Sequence, residues 1–197
     1  MALLVLPSEF VAAIMKDVLD TIGLREGTKL RVVCRQFNVF MLNAIYALPA
    51  FEGEHEPGLK FFRRDCTMSV RMTAGLILTR MRTGNSMNRP LCFAIKQAVA
   101  ILTDVPHQTA GTPHTTYFEA LATAAARAIP LPRIVRLLSP DCGIKIEPEG
   151  SINDAIIAAI YAGNSGLVEC LLGRCRTLSA KTQFFGEFLS AAASIGS

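Results

Sequence analysis

The chain contains no tryptophan, and aromatic residues make up only 7% of its 197 positions. Charged residues are also few, at 18%, where soluble domains usually carry about 25%. Because 51% of the residues are hydrophobic, the chain is not compositionally disordered and can bury a core in one or two domains. The small charged fraction predicts apolar surface left for a partner or for sequence beyond this chain.

The sequence has no uninterrupted apolar run of the roughly 20 residues that a membrane-spanning helix needs. Its most apolar stretch, residues 151–172, is interrupted by polar side chains. Residues 1–6 are apolar but have no basic residue before Pro7 and Glu9, so they do not fit a secretory signal. We therefore expect an intracellular protein of the cytoplasm or nucleus, with no membrane partner.

Metal-binding and disulfide patterns are missing as well. The six cysteines include no C-x-x-C pair, and the three histidines share no metal-ligand spacing with them. We therefore expect no zinc site, no disulfide framework and no other cofactor. The cysteines fit the role of small buried hydrophobic residues, and they stand at Cys34, Cys66, Cys92, Cys142, Cys170 and Cys175.

Sequence signatures of catalysis are absent too. There is no glycine-rich phosphate loop, no G-x-S-x-G turn and no H-E-x-x-H motif. Cys34 and His107 are the residue types of a thiol dyad, but nothing in the sequence brings them together, and Cys34 is expected on a helix. We therefore expect a binding protein with no catalytic, cofactor-binding or metal-binding residues.

The stretch from Ser151 to Leu172 predicts two short antiparallel helices, about residues 154–162 and 166–172. Gly163 lies between them, where a helix often ends on a residue with positive φ. Helices this short are marginally stable alone in water. Both must therefore pack against neighbours, and a repeated unit would supply them.

A repeat is visible at this spacing. Ala158-Ala159 and Ala191-Ala192 lie 33 residues apart, and Leu137-Leu138 precedes Leu171-Leu172 by 34. A helix-turn-helix period of about 33 residues is typical of ankyrin repeats. The stretch resembles an ankyrin repeat, the alternative being an ordinary helical hairpin. The positions that carry the resemblance are Ala158, Ala159, Gly163, Val168, Leu171 and Leu172.

The ankyrin resemblance implies two repeats and the first helix of a third over residues 104–197. The earlier repeat would place its helices at residues 118–128 and 131–138, followed by a connecting finger at residues 139–150. The alanines at 158, 159, 191 and 192 would be buried where first helices stack. The partner-binding residues that the resemblance implies for the fingers are Lys145, Glu147, Glu149 and Asn153.

The N-terminal 50 residues predict a small helical module. One amphipathic helix begins at Leu6-Pro7-x-Glu9, with Phe10, Ile14 and Val18 as its main apolar stripe and Val11 and Leu19 beside it. After glycines at 23 and 27, a second helix is expected over residues 28–47.

This module resembles an F-box, whose usual wording is Leu-Pro-x-Glu followed by Val-Cys-Arg-x-Phe; the alternative is a helical module without that role. An F-box followed by ankyrin repeats is similar to the order in large filamentous-fungal ankyrin proteins. The resemblance implies docking on the linker subunit of a cullin-RING ubiquitin ligase through Leu6, Pro7, Phe10, Val33, Cys34 and Phe37.

Residues 51–103 predict a linker, with turn-forming residues at 49–65, and then a basic helical connector. Two helices are expected, over residues 67–82 and 90–103. Between residues 60 and 96 the sequence contains eight basic residues and a single acidic residue, Asp65. Such a face could bind phosphate, but no nucleic-acid reading motif accompanies it. We expect a solvated or protein-docking surface, and nucleic acid is not expected as a partner.

Together these features predict an all-α protein with an F-box-like module, a helical connector and a short, incomplete ankyrin solenoid. The expected function is substrate recruitment to a cullin-RING ligase, with the target held on the ankyrin surface. The alternative is an ankyrin scaffold or inhibitor without a ligase role, and a weaker one is an anionic-surface or nucleic-acid binder acting through residues 60–96. The apolar C-terminal segment has few charges, which predicts a fragment of a longer array or self-association.

Overall fold

A computed structural model describes residues 7–46, 68–82, 88–105, 114–140, 142–144, 150–175 and 181–196. Most of these described residues are helical. The two strands among them have two residues each and form one hairpin, so the all-α class is confirmed. The elements in chain order are α1 (Ser8–Leu30), α2 (Arg35–Tyr46), α3 (Val70–Arg82), α4 (Pro90–Thr103), α5 (His114–Ala128), α6 (Leu131–Leu137), α7 (Gly150–Tyr161), α8 (Ser165–Arg174), β1 (Lys181–Thr182), β2 (Gly186–Glu187) and α9 (Phe188–Ile195).

The chain divides into two compact units, residues 1–67 and 68–197. The boundaries expected from the sequence lie instead after residues 50 and 103. The difference arises because α3 and α4, expected to form a connector, pack on α5 and α7 and share the core of the second unit. Leu76 and Ile77 of α3 and Leu91 and Ile95 of α4 are fully buried there.

In the first unit, α1 is bent at Gly23, whose φ of 77° and ψ of 165° are not helical. The chain resumes a helical conformation up to Leu30, so Gly27 lies within a helix rather than in a turn. Gly27 is buried, and a Cβ atom added there would overlap the Leu19 side chain. The absence of a side chain at 27 therefore allows the two segments of α1 to approach closely.

The expected helix over residues 28–47 is wrong in its first third, because residues 31–34 form a turn before α2. Cys34 directly precedes Arg35, the first residue of α2. Its carbonyl oxygen accepts a hydrogen bond from Asn38 N at 2.9 Å, and its Sγ accepts one from Phe37 N at 3.4 Å. The thiol thus partners one of the backbone N–H groups that a helix start leaves without an intrahelical acceptor.

The buried face of α1 differs from the expected one. Val11, Met15 and Leu19 are buried at i, i+4 and i+8, whereas Phe10 and Ile14 are exposed. Both stripes have helical spacing, so periodicity alone does not distinguish them. Contact with α2 selects the first stripe, and the α2 side chains buried in this unit are Met41, Ala44, Ile45 and Tyr46.

Helix α7 is the centre of the second unit. Every residue from Asn153 to Ala159 is buried, and the helix contacts α4, α5, α8, α9 and β1. Ala155, Ala158 and Ala159 lie in this run and bring no bulk to the contacts, so neighbouring helices can approach closely. The stretch that the sequence singled out is therefore the element against which most of the second unit packs.

The turn between α7 and α8 forms as the sequence predicts. Gly163 has φ +67°, its N–H donates to Ile160 O at 2.9 Å, and Asn164 N donates to Ala159 O at 3.0 Å. This is the Schellman arrangement, which satisfies the last carbonyl groups of a helix. Asn164 then begins α8, because its Oδ1 accepts a hydrogen bond from Leu167 N at 3.1 Å.

The segment before α9 contains the β1–β2 hairpin, in which Lys181 pairs with Glu187. Thr182 Oγ1 is buried and accepts a hydrogen bond from Phe185 N at 2.9 Å. The rings of Phe184 and Phe185 meet edge to face at 6.2 Å, and both are buried. Much of the apolar content expected to be uncovered at this end of the chain is therefore inside the core.

Candidate interaction surfaces

Large apolar side chains remain exposed on the first unit. Phe10 is 62% exposed, Val32 87% and Val33 66%. Covering exposed apolar side chains with a partner is favourable because it removes their surface from water. We call this set the N-terminal apolar surface, and its members are Phe10, Ile14, Val32, Val33 and Val39.

The residues implied by the F-box resemblance fall at two places in the first unit. Pro7 is exposed, and its carbonyl oxygen accepts hydrogen bonds from Phe10 N at 3.1 Å and Val11 N at 3.2 Å. Val33 and Cys34 are exposed at the turn before α2, and Phe37 is half-buried in its first turn. Leu6 lies outside the described residues.

Of the implied finger residues, Lys145, Glu147 and Glu149 lie outside the described residues. Asn153 lies within α7 and is only 8% exposed. Its Oδ1 is 3.5 Å from the Cys175 Sγ, which donates to it from the end of α8. Asn153 therefore joins α7 to the end of α8 and offers little of its side chain to a partner.

Two of the expected helix contacts are present in the second unit. Helix α7 contacts both α5 and α9. These three helices are the ones predicted to be the first helices of successive repeats. Ala158, Ala159 and Ala191 are buried as expected, but Ala192 is exposed. The expectation for Ala192 is wrong because α9 buries only the side of the helix on which Ala191 lies.

A cavity of about 260 Å³ lies among α3, α4 and α5, and we call it the basic groove. The groove cannot be recognised from the sequence alone, because its lining residues come from three separate helices. The spacing of Arg71, Leu78 and Arg82 along one face of α3 was the available signal. The groove is lined by Leu78, Met81, Arg82, Lys96, Phe118 and Glu119.

A second cavity, of about 350 Å³, lies beside the β1–β2 hairpin and is lined by both polar and apolar side chains. The Arg127 guanidinium lies over the Tyr161 ring, 5.7 Å from its centroid, which is within the range of a cation–π contact. On the other side, the Ser194 hydroxyl is 3.2 Å from the Tyr161 hydroxyl. Tyr161 is therefore held between α5 and α9.

A third cavity, of about 460 Å³, lies between the α7–α8 turn and α9, and we call it the end groove. Its apolar lining includes Ile160, Val168, Ala192 and Ile195, with Glu169 as its charged residue. Leu189, on the same helix as Ala192 and Ile195, is 84% exposed. This part of the second unit therefore presents apolar surface that its own helices do not cover.

In the described part of the second unit, burial clearly shifts the pKa of Asp154 and of Cys92. Burial raises the pKa of Asp154 from 3.8 to about 7, and its Oδ1 has no hydrogen-bond partner. Burial also raises the pKa of the Cys92 thiol to about 11, against the opposing effect of Arg89, Lys96 and Arg80. A thiol with a raised pKa is protonated at neutral pH and is a poor nucleophile.

Within the described ranges, no three histidine, cysteine, aspartate or glutamate side chains come together as metal ligands would. Nor does any helix in that part of the chain have the length and apolar character needed to cross a membrane. Comparison with protein families, with curated proteins and with solved structures finds no match to this chain.

Proposed function

We propose that this chain is a protein-interaction protein that recruits a target to a cullin-RING ubiquitin ligase. In this proposal the N-terminal apolar surface docks on the linker subunit of the ligase, and the second unit holds the target. The single observation that supports it best is the exposure of Phe10 and Val33, two large apolar residues through which the F-box resemblance implies docking.

The free energy of docking would come from apolar side chains of the first unit that the linker subunit covers. Covering an exposed Phe or Val side chain stabilises an association by about 1.5–3 kcal/mol when the burial is complete. Pro7 and Phe10 at the start of α1, and Val33 and Cys34 before α2, occupy exposed positions that a partner could reach. Two binding units on one chain would then raise the effective concentration of the target near the ligase.

The test is co-purification of the full-length chain with the purified linker subunit of the ligase. We expect the double variant Phe10→Ser, Val33→Ser to lose binding, because it removes apolar area from the contact. Both residues are mostly exposed, so the variant should keep its helical circular dichroism spectrum and its melting temperature. Leu189→Ser is a matched control, since it removes an exposed apolar side chain from the second unit.

If the folded double variant binds the linker subunit as tightly as the wild type, or if the wild type does not bind it, the ligase role is wrong. The second candidate is an ankyrin scaffold or inhibitor that acts through the second unit alone. It is favoured by the contacts of α7 with α5 and α9, the order expected for stacked first helices. In that case a target would co-purify with the wild type and with the double variant equally, and neither chain would bind the linker subunit.

Self-association is a further partner proposal. The end groove and the exposed Leu189 and Ile195 offer apolar surface on which a second copy could pack. Repeat proteins expose such surface where a neighbouring unit would otherwise cover it. Light scattering over a range of protein concentrations tests this proposal, and a monomer at every concentration would contradict it.

A further inference from the structure

We propose that the basic groove is a docking site for an acidic peptide segment that carries a bulky apolar side chain. The apolar side chain would enter the cavity, and acidic side chains beside it would meet the Arg71 and Arg82 guanidinium groups of α3. This site lies in the second unit and shares no residue with the N-terminal apolar surface. It therefore stands or falls independently of the ligase proposal.

The floor of the groove is apolar. Leu78 and Met81 of α3 and Phe118 of α5 are each half-buried, so part of each side chain remains accessible within the cavity. Filling the cavity with an apolar side chain would remove this remaining surface from water, which is favourable by about 25 cal/mol per Å². The thioether of Met81 also adapts readily to different side-chain shapes.

The volume of the basic groove is close to the lower end of the range found for ligand pockets. Pockets for small molecules and cofactors usually measure about 300–1,000 Å³ and enclose most of the ligand. The basic groove measures about 260 Å³, so it suits an anchoring side chain of a peptide that runs across it.

Charge determines which peptide fits. Neither α3 nor α4 contains an acidic residue. Arg82 is exposed at the edge of the groove, Lys96 lines it from α4, and Arg71 is exposed on the same face of α3 two turns before Leu78. Glu119 is the acidic residue in the lining. The surplus of positive charge favours an acidic segment and disfavours a basic one.

The same charges could attract nucleic acid, but the groove lacks the usual features of that recognition. Single-stranded nucleic acid is held by several stacked aromatic side chains along a basic track. In the lining of this groove Phe118 is the aromatic residue, and it is half-buried beside two aliphatic side chains. A concave apolar floor with a basic edge fits an amphipathic peptide better.

The experiment measures fluorescence anisotropy of a labelled synthetic peptide on the full-length chain. The probe has leucine and phenylalanine at helical spacing with glutamates between them. A matched peptide has glutamine in place of every glutamate, and a labelled single-stranded oligonucleotide serves as the nucleic-acid probe. We expect the acidic peptide to bind and the glutamine peptide to bind roughly tenfold more weakly.

Two charge-reversal variants place the site. Arg82→Glu should weaken binding of the acidic peptide roughly tenfold. Arg136→Glu, at an exposed position of α6 away from the groove lining, should change it less than about twofold. Both positions are exposed, so both variants should fold. Met81→Gln tests the apolar floor, and a shift of the Met81 methyl signal in NMR spectra on peptide addition locates the contact.

The proposal is overturned if Arg82→Glu and Arg136→Glu have equal effects, or if the glutamine peptide binds as tightly as the acidic one. It is also overturned if the oligonucleotide binds more tightly than the peptide and depends on Arg82. That last result would assign the basic face to nucleic acid.

Discussion

The Ser194 hydroxyl lies 3.2 Å from the Tyr161 hydroxyl, and the two residues are 33 positions apart in the chain. This separation equals the period found between Ala158 and Ala191, which are both buried in the same pair of helices. In a stacked repeat, equivalent residues of neighbouring units lie side by side. The contact between α7 and α9 therefore has the register that the period predicts, while an ankyrin assignment for the whole second unit stays a prediction.

The close contact of α7 with its neighbours predicts that Ala158→Leu is destabilising. Ala158 is fully buried and does not line any of the three cavities described above. The added side chain should overpack this contact and lower the free energy of unfolding by about 1–3 kcal/mol. Ala193→Leu, on the exposed side of α9, is the control and should change stability by no more than about 0.5 kcal/mol. Chemical denaturation measures both, and equal effects would mean that α7 is not at the packing centre.

The raised pKa of Asp154 predicts that the free energy of unfolding depends on pH. Its pKa is raised from 3.8 to about 7 by burial, so between these values the native chain holds a proton that the unfolded chain has lost. The free energy of unfolding should therefore fall as pH rises from about 4 to about 7, by at most about 4 kcal/mol, and then level off.

Asp154→Asn removes this titration. The stability of the wild type relative to Asp154→Asn should be greatest near pH 4 and smallest above about pH 7. Denaturation of both chains across this range gives the comparison. A difference that stays constant with pH would show that the Asp154 carboxyl is solvated in the native protein.

Gly27 and Gly173 should respond in opposite directions to alanine. A Cβ atom at Gly27 would overlap Leu19, so Gly27→Ala should destabilise the first unit by about 1–3 kcal/mol. At Gly173, an exposed position in α8, a Cβ atom meets nothing within 4 Å. Gly173→Ala should therefore stabilise the second unit by about 0.5–1 kcal/mol, because alanine loses less backbone freedom in a helix. Thermal denaturation tests both, and a neutral Gly27→Ala would show that α1 can open at its bend.

Substitution of Leu189 tests whether a second copy of the chain packs on the apolar surface at the end groove. Leu189→Lys places a charge on a side chain that is 84% exposed, so it should leave the fold and melting temperature of the isolated chain unchanged. If a second copy packs on this surface, the lysine should shift the light-scattering mass towards the monomer. Ser190→Lys, at the adjacent exposed position of α9, is a control for added charge alone. Equal effects of the two variants would exclude a contact centred on Leu189.

Local rules determined several features that the sequence predicted correctly. The all-α class, the bounds of α4 and the turn at Gly163 depend on helix-forming residues, a proline at a helix start and a glycine with positive φ. These features are decided by hydrogen bonds and steric contacts among residues close together in the chain. No distant partner is needed to specify them, so they could be predicted without the structure.

Tertiary contacts decided what the pattern left open. Two apolar stripes run along α1, and contact with α2 buries the one with Val11 and Met15 while Phe10 stays exposed. The basic groove likewise exists only because α3, α4 and α5 come together. The free energy of burying a side chain depends on which neighbour covers it, and that neighbour is distant in the sequence. Periodicity within one helix therefore shows which residues can be buried, and only packing between helices decides which of them are.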